Sequence, residues 1–592
     1  MKSRKKQKSG RGALALLFAV LVLCAGAFLW YTFAPGSDRA DPAAYYAAMG
    51  DAAVYVDSSQ AAVKTVRQGE EYYLEESWVK ESLVPRLFYE AEEDAWLYAL
   101  PNGNAVFPLT GTAYTLPASD GGPASDSPTK GNLNAPAGLT KDGERYVSAE
   151  VVCLLTGAAA ERFSDPSRLY LWTMTGAPKE QAVLKDDAVL RAGAGRKSLI
   201  VAEEEKGAKA LLLSEAGDWT LVRTQDGHLG YTQARHLEGR TPWEPVRSYI
   251  VQDYSRPPRS GRVVLSWHAA NGPVTNATLE DVVKEAKGLT AVSPTWFSLT
   301  GDQGEITSAA ERSYVDRAHE LGVEVWIRLD DFDKENDVAA SLGTLSRRSR
   351  LIGQILAETL RVGADGINVD FERIRQESSE GFLQFVRELS AACRREDLVL
   401  SVDNFALAGN HHIYQPEEQA VFADYIVTMG YGEHWRGSGA GTNASIGFTR
   451  KCIEEMLGRG VPADQLVHAI PFYVPVWRER PAQIGDAGAR TDGDPVYPIY
   501  TLDVSSVSMG RAAAMLADAG VTPTWLETEG CWYGQYEEDG AAVRIWLEDV
   551  RSVKLKCKEV EEAGIAGIAA WRLGFEDPGV WPLIGDGADK TP

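Results

Sequence analysis

The chain has 592 residues, which is longer than a single hydrophobic core supports, so several domains are expected. A composition of 44% hydrophobic and 24% charged residues is that of folded protein and excludes a largely disordered chain. The net charge of −23 excludes a nucleic-acid partner, because phosphate binding needs a clustered basic surface.

The N-terminal 35 residues predict a membrane partner. A basic stretch, MKSRKKQKSGR, precedes an uncharged apolar run from Ala13 to Ala34 that is long enough to span a bilayer. The positive-inside rule then places residues 1–35 as a cytoplasmic tail and transmembrane anchor, with all later residues extracellular. A cleaved signal peptide is the alternative, since Ala25-Gly26-Ala27 resembles a cleavage site and cleavage would give a secreted protein.

Three segments follow before the largest predicted domain. Residues 36–60 are rich in Ala, Asp, Ser and Gly and predict a tether. Residues 61–178 contain short β-rich runs broken by turn residues, which indicates a small α+β module, and 179–240 has strands and turns at the regular spacing of a small β-barrel. The proline-containing stretch 241–261 predicts a linker.

These two modules resemble domains found in wall-associated proteins. Residues 61–178 resemble amine-oxidase-N-terminal-like modules, and 179–240, with AVLRAGAG and GDWTLVRTQDGHLGYTQARHL, resembles a bacterial SH3-type domain. The second resemblance leaves two roles open for 179–240, binding of cell-wall polymer and simple spacing.

The segment 262–585 predicts an α/β fold, a (β/α)8 TIM barrel. Eight β-like runs, most of them separated by helical patterns, match the number of strands that closes such a barrel. A small α+β insertion is expected at 475–550, because the segment is longer than this fold usually needs. The eight runs are 263–267, 291–299, 323–329, 366–372, 398–404, 423–431, 466–473 and 565–573.

The fourth run, GINVDFE, carries the candidate chemistry. Side chains alternate along a strand, so Ile367, Val369 and Phe371 point one way while Asn368, Asp370 and Glu372 point the other. The polar set is expected at the C-terminal mouth of the barrel, where this fold places catalytic groups. Asp370 lies two positions before Glu372 and should raise its pKa, which suits Glu372 to a general-acid role.

DGINVDFE, residues 365–372, resembles the DGxDxDxE signature of family 18 glycoside hydrolases, with Asn368 where the pattern often has Asp. MGYGEHW resembles the segment whose tyrosine binds the substrate N-acetyl group, which assigns that role to Tyr431. AIPFY and AGIAAWRLGFEDPGVW resemble the last two strands of the cortex- and wall-lytic, YaaH-like or spore-germination branch.

The resemblance implies substrate-assisted retaining hydrolysis. Glu372 would protonate the leaving oxygen, and Asp370 and Tyr431 would orient the attacking acetamido group, with Asn368 completing the catalytic set. Candidate substrate-binding residues lie at or beyond strand ends: Trp571 as an apolar floor, with Trp296, Glu433, Asn404 and Trp435.

No metal ligand spacing or cofactor motif is found, so neither a metal nor a cofactor is expected. The predicted partner is a cell-wall glycan, peptidoglycan or a chitin-like oligosaccharide. A chitinase acting on exogenous chitin and a non-catalytic glycan-binding protein are the alternatives.

Overall fold

The computed structural model describes residues 10–118, 128–174, 178–255, 259, 261–406 and 411–585. The predicted basic N-terminal tail up to residue 9 and residues 256–258 and 260 of the predicted linker lie outside these ranges. The chain divides into two compact units, the first made of Met1–Leu87, Phe107–Tyr114 and Asn132–Val251, the second of Phe88–Val106, Thr115–Gly131 and Gln252–Pro592.

The N-terminal helix covers Gly10–Phe33. Among the described residues, no helix combines the length and apolar character needed to cross a bilayer, so the predicted transmembrane anchor is not supported.

The first unit is mainly β-structure. Ala159–Ser164, Ser167–Trp172, Ala53–Val56 and Ser59–Ala61 form one four-stranded sheet, and Gly138–Lys141, Glu144–Ser148, Glu71–Glu75 and Thr65–Gln68 form another. Its remaining helices are Pro42–Tyr45, Glu76–Ser82, Ala149–Thr156 and the 3-10 turn Ala234–His236.

The region predicted as a small β-barrel forms a seven-stranded sheet. Its strands, in spatial order, are Ile200–Glu204, Ala188–Arg191, Leu229–Gln233, Trp219–Thr224, Lys209–Ala216, Glu180–Leu184 and Leu237–Pro242. The strands therefore occur where the spacing of turns predicts them, and the SH3-type identity stays a prediction. A further five-stranded sheet consists of Leu87–Glu90, Ala95–Leu100, Gly103–Pro108, Ala113–Leu116 and Thr129–Asn132.

The second unit contains a closed barrel of eight parallel strands, which confirms the predicted fold class. We number them β1 (Val263–His268), β2 (Ala291–Pro294), β3 (Glu324–Asp330), β4 (Gly366–Asp370), β5 (Val399–Phe405), β6 (Tyr425–Met429), β7 (Leu466–Pro471) and β8 (Gly567–Trp571). Each pairs with its neighbours in sequence, β8 pairs with β1, and β2 pairs with β3, so the sheet has no open edge among these strands.

Helices cover the outside of the barrel. Apolar side chains on the outer face of the strands, such as Ile367 and Val369 of β4, pack with the helices in one buried layer. Outside the insertion described below, the helices of this unit are Pro273–Asn276, Leu279–Val283, Arg312–Glu320, Val338–Leu342, Leu345–Val362, Gln376–Arg395, His411–Tyr414, Pro416–Phe422, Ile446–Arg459, Val550–Ala563 and Trp581–Gly585, with 3-10 turns at Ala463–Gln465 and Pro578–Val580.

Two additional segments are inserted between elements of the barrel. A hairpin of Phe297–Thr300 and Glu305–Ser308 follows β2. Between β7 and the helix Val550–Ala563 lies a five-stranded sheet, Tyr473–Pro481, Tyr500–Ser508, Thr524–Leu526, Cys531–Glu538 and Ala541–Leu547, with one helix, Met509–Asp518. This α+β segment occupies the place where the length of the chain predicts an insertion.

Candidate active site

The inner face of β4 carries Asn368 and Asp370, and Glu372 follows two residues after the strand. Ile367, Val369 and Phe371 are buried in the layer between barrel and helices, so the predicted alternation is confirmed. β4 begins at Gly366, where an added Cβ would lie 2.7 Å from the Cβ of Val399. A glycine there lets β4 and β5 approach closely at the bottom of the barrel.

The main chain at Glu372 is held by an acid that the sequence reasoning missed. The backbone N–H groups of Glu372 and Arg373 donate to the two carboxylate oxygens of Asp331, each at 2.9 Å. Asp331 directly follows β3 and is fully buried. The turn that presents Glu372 is therefore fixed by the end of the neighbouring strand.

One buried arginine lies among the acids. Arg328 of β3 donates from Nη1 to Asp370 at 3.0 Å and from Nη2 to Asp330 at 2.7 Å. All three side chains are almost fully buried, so these pairs are poorly screened by water. The guanidinium fixes one oxygen of Asp370 and offsets part of the negative charge in the barrel mouth.

Asn368 joins opposite sides of the barrel interior. Its Oδ1 accepts from Nε1 of Trp267 at 2.8 Å and from the hydroxyl of Ser293 at 3.1 Å. Its Nδ2 donates to Ser401 at 3.0 Å and to Asp403 at 2.7 Å. These four bonds satisfy the amide, so Asn368 acts on the site by fixing its neighbours.

Glu372 has the protonation required of a general acid. Burial and, to a lesser extent, the negative charge of Asp370 together raise the pKa of Glu372 to about 8, and Arg328 opposes the rise. The side chain is still partly exposed, so a substrate can reach it. Burial likewise raises the pKa of Asp370 above its usual range, against the effect of Arg328. Glu372 thus keeps a proton near neutral pH and can transfer it to a leaving group.

Tyr431 and Trp571 lie at the same mouth. Both are partly buried and pack against the apolar cluster inside the barrel. Burial raises the pKa of Tyr431 well above its usual range, with Tyr473, Asp370 and Glu372 adding to the rise, so its hydroxyl remains a donor. The Trp571 ring lies 6.0 Å from that of Trp267 and 5.4 Å from the guanidinium carbon of Arg328.

The sequence predicts four other residues to bind the substrate. Trp296 is buried towards the helices, donates to Asn276 at 2.9 Å and packs edge-on against Tyr314. Asn404 is also on the outer side of the barrel and exchanges hydrogen bonds with Gln419. These two placements differ from the prediction, because both side chains face the helical layer.

Glu433 and Trp435 belong to the loop after β6. Glu433 accepts from the hydroxyl of Thr442 at 2.6 Å and from the backbone N–H and hydroxyl of Ser445 at 2.7 and 2.9 Å. It therefore ties the loop to the start of the helix Ile446–Arg459. Trp435 is 64% exposed, and its role in binding stays a prediction.

Beyond Asp331, the sequence reasoning missed Arg328 and Asp403. Alternation along β3 and β5 would have found both, because Arg328 follows the inward Trp326 by two positions and Asp403 follows Val399 by four. Within the described ranges, no group of three or more His, Cys, Asp or Glu side chains is arranged to hold a metal ion.

A closed barrel with a protonated carboxyl at its C-terminal mouth is the arrangement of a barrel glycosidase. The chain belongs to the glycosyl hydrolases of family 18, whose profile matches residues 279–576, about half of the chain.

Individual relatives are similar over the same region. The cortical fragment-lytic enzyme of Bacillus subtilis (strain 168) is 26% identical over 250 residues, which are 40% of this chain and 53% of the relative. This chain therefore spans about half the length of that protein. Two solved structures also resemble it: the spore cortex-lytic enzyme SleL of Bacillus megaterium QM B1551 (20% identity, TM-score 0.47, 59% of this chain and 79% of that chain) and a chitinase of Chromobacterium violaceum ATCC 12472 (20% identity, TM-score 0.47, 56% and 100%).

Proposed function

We propose that this glycoside hydrolase cleaves a β-linked N-acetylglucosamine-containing glycan, the peptidoglycan of the cell wall, by a substrate-assisted retaining mechanism. The observation that carries the proposal is the position of Glu372 just after β4 at the mouth of the barrel, near Asp370, where burial raises the pKa of Glu372. The similarity to a cortical fragment-lytic enzyme supports a wall glycan as the substrate. An extracellular location stays a prediction of the sequence, as does a wall-binding role for 179–240.

In the proposed reaction Glu372 donates its proton to the glycosidic oxygen as the C–O bond breaks. The substrate's acetamido oxygen attacks the anomeric carbon and forms an oxazolinium ring. Asp370 stabilises the positive charge that develops on the acetamido group, and the Tyr431 hydroxyl orients its oxygen. Glu372, now ionised, then takes a proton from the water that opens the ring, which restores the acid and retains the anomeric configuration.

Digestion of purified wall sacculi tests the substrate. The full chain should release new reducing ends, and mass spectrometry of the fragments should find N-acetylglucosamine at those ends. Glu372→Gln should reduce kcat by about 10²–10⁴-fold, the usual contribution of a general acid. Glu377→Gln is a matched control, since Glu377 is exposed in the first turn of the next helix and should retain the parent rate.

Two results would contradict the proposal. Equal release by the parent and by Glu372→Gln would remove Glu372 from the chemistry. Cleavage of fully deacetylated glycan at the parent rate would rule out assistance by the acetamido group. A chitinase that acts on exogenous chitin is the second candidate. Cleavage of chitin oligomers without any cleavage of sacculi would select it.

A further inference from the structure

Three aspartates lie side by side at one level of the barrel. Asp330 of β3 is opposite Asp370 of β4 in the parallel register. Val369 is opposite Val402, so the next position brings Asp370 level with Asp403 of β5. Neighbouring strands lie about 4.8 Å apart, and all three side chains are nearly or fully buried. Three carboxylates at this spacing cannot all be ionised without strong repulsion.

The guanidinium of Arg328 forms hydrogen bonds with only two of these three aspartates. Arg328 donates to Asp330 and to Asp370, whereas Asp403 accepts its hydrogen bond from the neutral amide of Asn368. Oδ2 of Asp403 and Oδ1 of Asp370 are buried and, among the described residues, have no hydrogen-bond donor. A proton placed between these two oxygens would satisfy both, because a protonated carboxyl is a donor.

Asn368 stands where the DGxDxDxE pattern often has an aspartate. Its Oδ1 is committed to Trp267 and Ser293, so its Nδ2 must face Ser401 and Asp403. Position 368 therefore supplies no carboxyl, and the carboxyl in contact with it belongs to the next strand.

We propose that Asp403 is a positioning residue that holds the proton shared with Asp370, so that β5 supplies the carboxyl absent from position 368. The inference rests on the proposed function, in which Asp370 must keep a negative charge beside the developing oxazolinium. The proton on Asp403 donates to Asp370 and fixes its free oxygen, while the pair together carries one negative charge.

The electrostatics agree with this assignment. Burial raises the pKa of Asp403 well above its usual range, the charge of Asp370 raises it further, and the hydrogen bond from Asn368 opposes the rise. The charged and titratable groups that face Asp403 are Asp370 of β4, Glu372 just after β4, Arg328 of β3 and Tyr431 just after β6.

Infrared spectroscopy of the full chain tests the proton directly. With carboxyl-¹³C aspartate, the parent at pH 7 should show an isotope-shifted protonated-carboxyl band that Asp403→Asn removes. The isotope separates this band from that of protonated Glu372. Absence of the band, or its persistence in Asp403→Asn, would overturn the assignment whether or not the chain digests sacculi. A band without digestion would instead refute the proposed substrate and leave the proton assignment standing.

Kinetics on sacculi test whether the carboxyl of Asp403 replaces the one that is absent from position 368. Asp403→Ala should lower kcat by about tenfold or more with little change in KM, and Asn368→Asp/Asp403→Ala, which returns a carboxyl to β4, should recover most of that loss. Asn404→Ala is the matched control on the outer face of the same strand and should lower thermal stability without this loss of kcat. An unchanged kcat in Asp403→Ala, or a double variant no faster than the single one, would contradict the proposal. If Asp403→Ala does not fold, the spectrum of Asp403→Asn decides.

Discussion

The two sides of the barrel interior differ in chemistry. The side formed by β3, β4 and β5 carries Arg328, Asp370 and Asp403, whereas the side formed by β1 and β6 to β8 carries apolar groups such as Trp267 and Ala569. The polar side provides protons and charge. The apolar side excludes water, which strengthens the interactions of those charges. In the proposed function the Trp571 ring on this side is the flat surface for a sugar ring.

The largest effect should come from removing the cation of the polar side. Arg328→Met leaves the buried carboxylates of Asp330 and Asp370 without their cation, so the free energy of unfolding of the barrel should fall by about 3–5 kcal/mol at pH 7. Urea denaturation measures the change. Arg350→Met is the control, because its pair with Glu305 is exposed and should contribute no more than about 1 kcal/mol. Equal losses in the two variants would show that the polar side does not depend on Arg328.

The next effect is the pH dependence of activity. In the proposed reaction Glu372 must be protonated to act. Its pKa is raised to about 8, so the acid form is complete at lower pH and is lost as the pH rises through that value. We expect kcat/KM to fall by about tenfold per pH unit above pH 8, because each unit removes nine tenths of the remaining acid. Glu377→Gln should show the same profile. A basic limb centred near pH 5 would mean that the barrel leaves Glu372 with an ordinary pKa.

Variants of two tryptophans, Trp571 and Trp296, test the role of the apolar side. Trp571→Ala removes the surface at the mouth and should raise KM by about tenfold, which corresponds to about 1.4 kcal/mol, with a small effect on folding. Trp296→Phe changes a buried ring on the outer side and should leave KM unaltered while lowering stability. The KM values on sacculi and the two melting temperatures measure the contrast. A rise in KM for Trp296→Phe alone would reverse the assignment of the two rings.

Alternation of side chains explains which parts of the site the sequence predicts. In β4 it places Asn368 and Asp370 inside the barrel correctly, because the strand is regular. Applied with the same care to β5, it selects Asp403 and places Asn404 outside. It fails at Trp296, since β2 ends at Pro294 and the chain turns before the next strand begins.

Other features of the site have no local signal in the sequence. Asp331 lies just beyond β3, and its two hydrogen bonds reach residues about forty positions later, so only the closed barrel brings them together. The eight strands themselves are short apolar runs and are predicted well. At the N-terminal helix, by contrast, an apolar run does not lead to the predicted structure. The run is long enough for a bilayer, but the described part of the helix is not supported as a transmembrane span.

The smallest expected effect concerns Glu433, in the loop after β6, and tests whether this loop belongs to the binding surface of the apolar side. Glu433 makes three hydrogen bonds to Thr442 and Ser445, so Glu433→Gln should cost about 1 kcal/mol by weakening the connection of the β6 loop to its helix. KM on sacculi should stay within about twofold of the parent value, a change of less than about 0.5 kcal/mol. Thermal unfolding measures the structural role of Glu433, and steady-state kinetics measure any role in glycan binding. A large rise in KM with unchanged stability would instead mean that Glu433 contacts the glycan, as the sequence predicts, and that the loop extends the binding surface beyond Trp571.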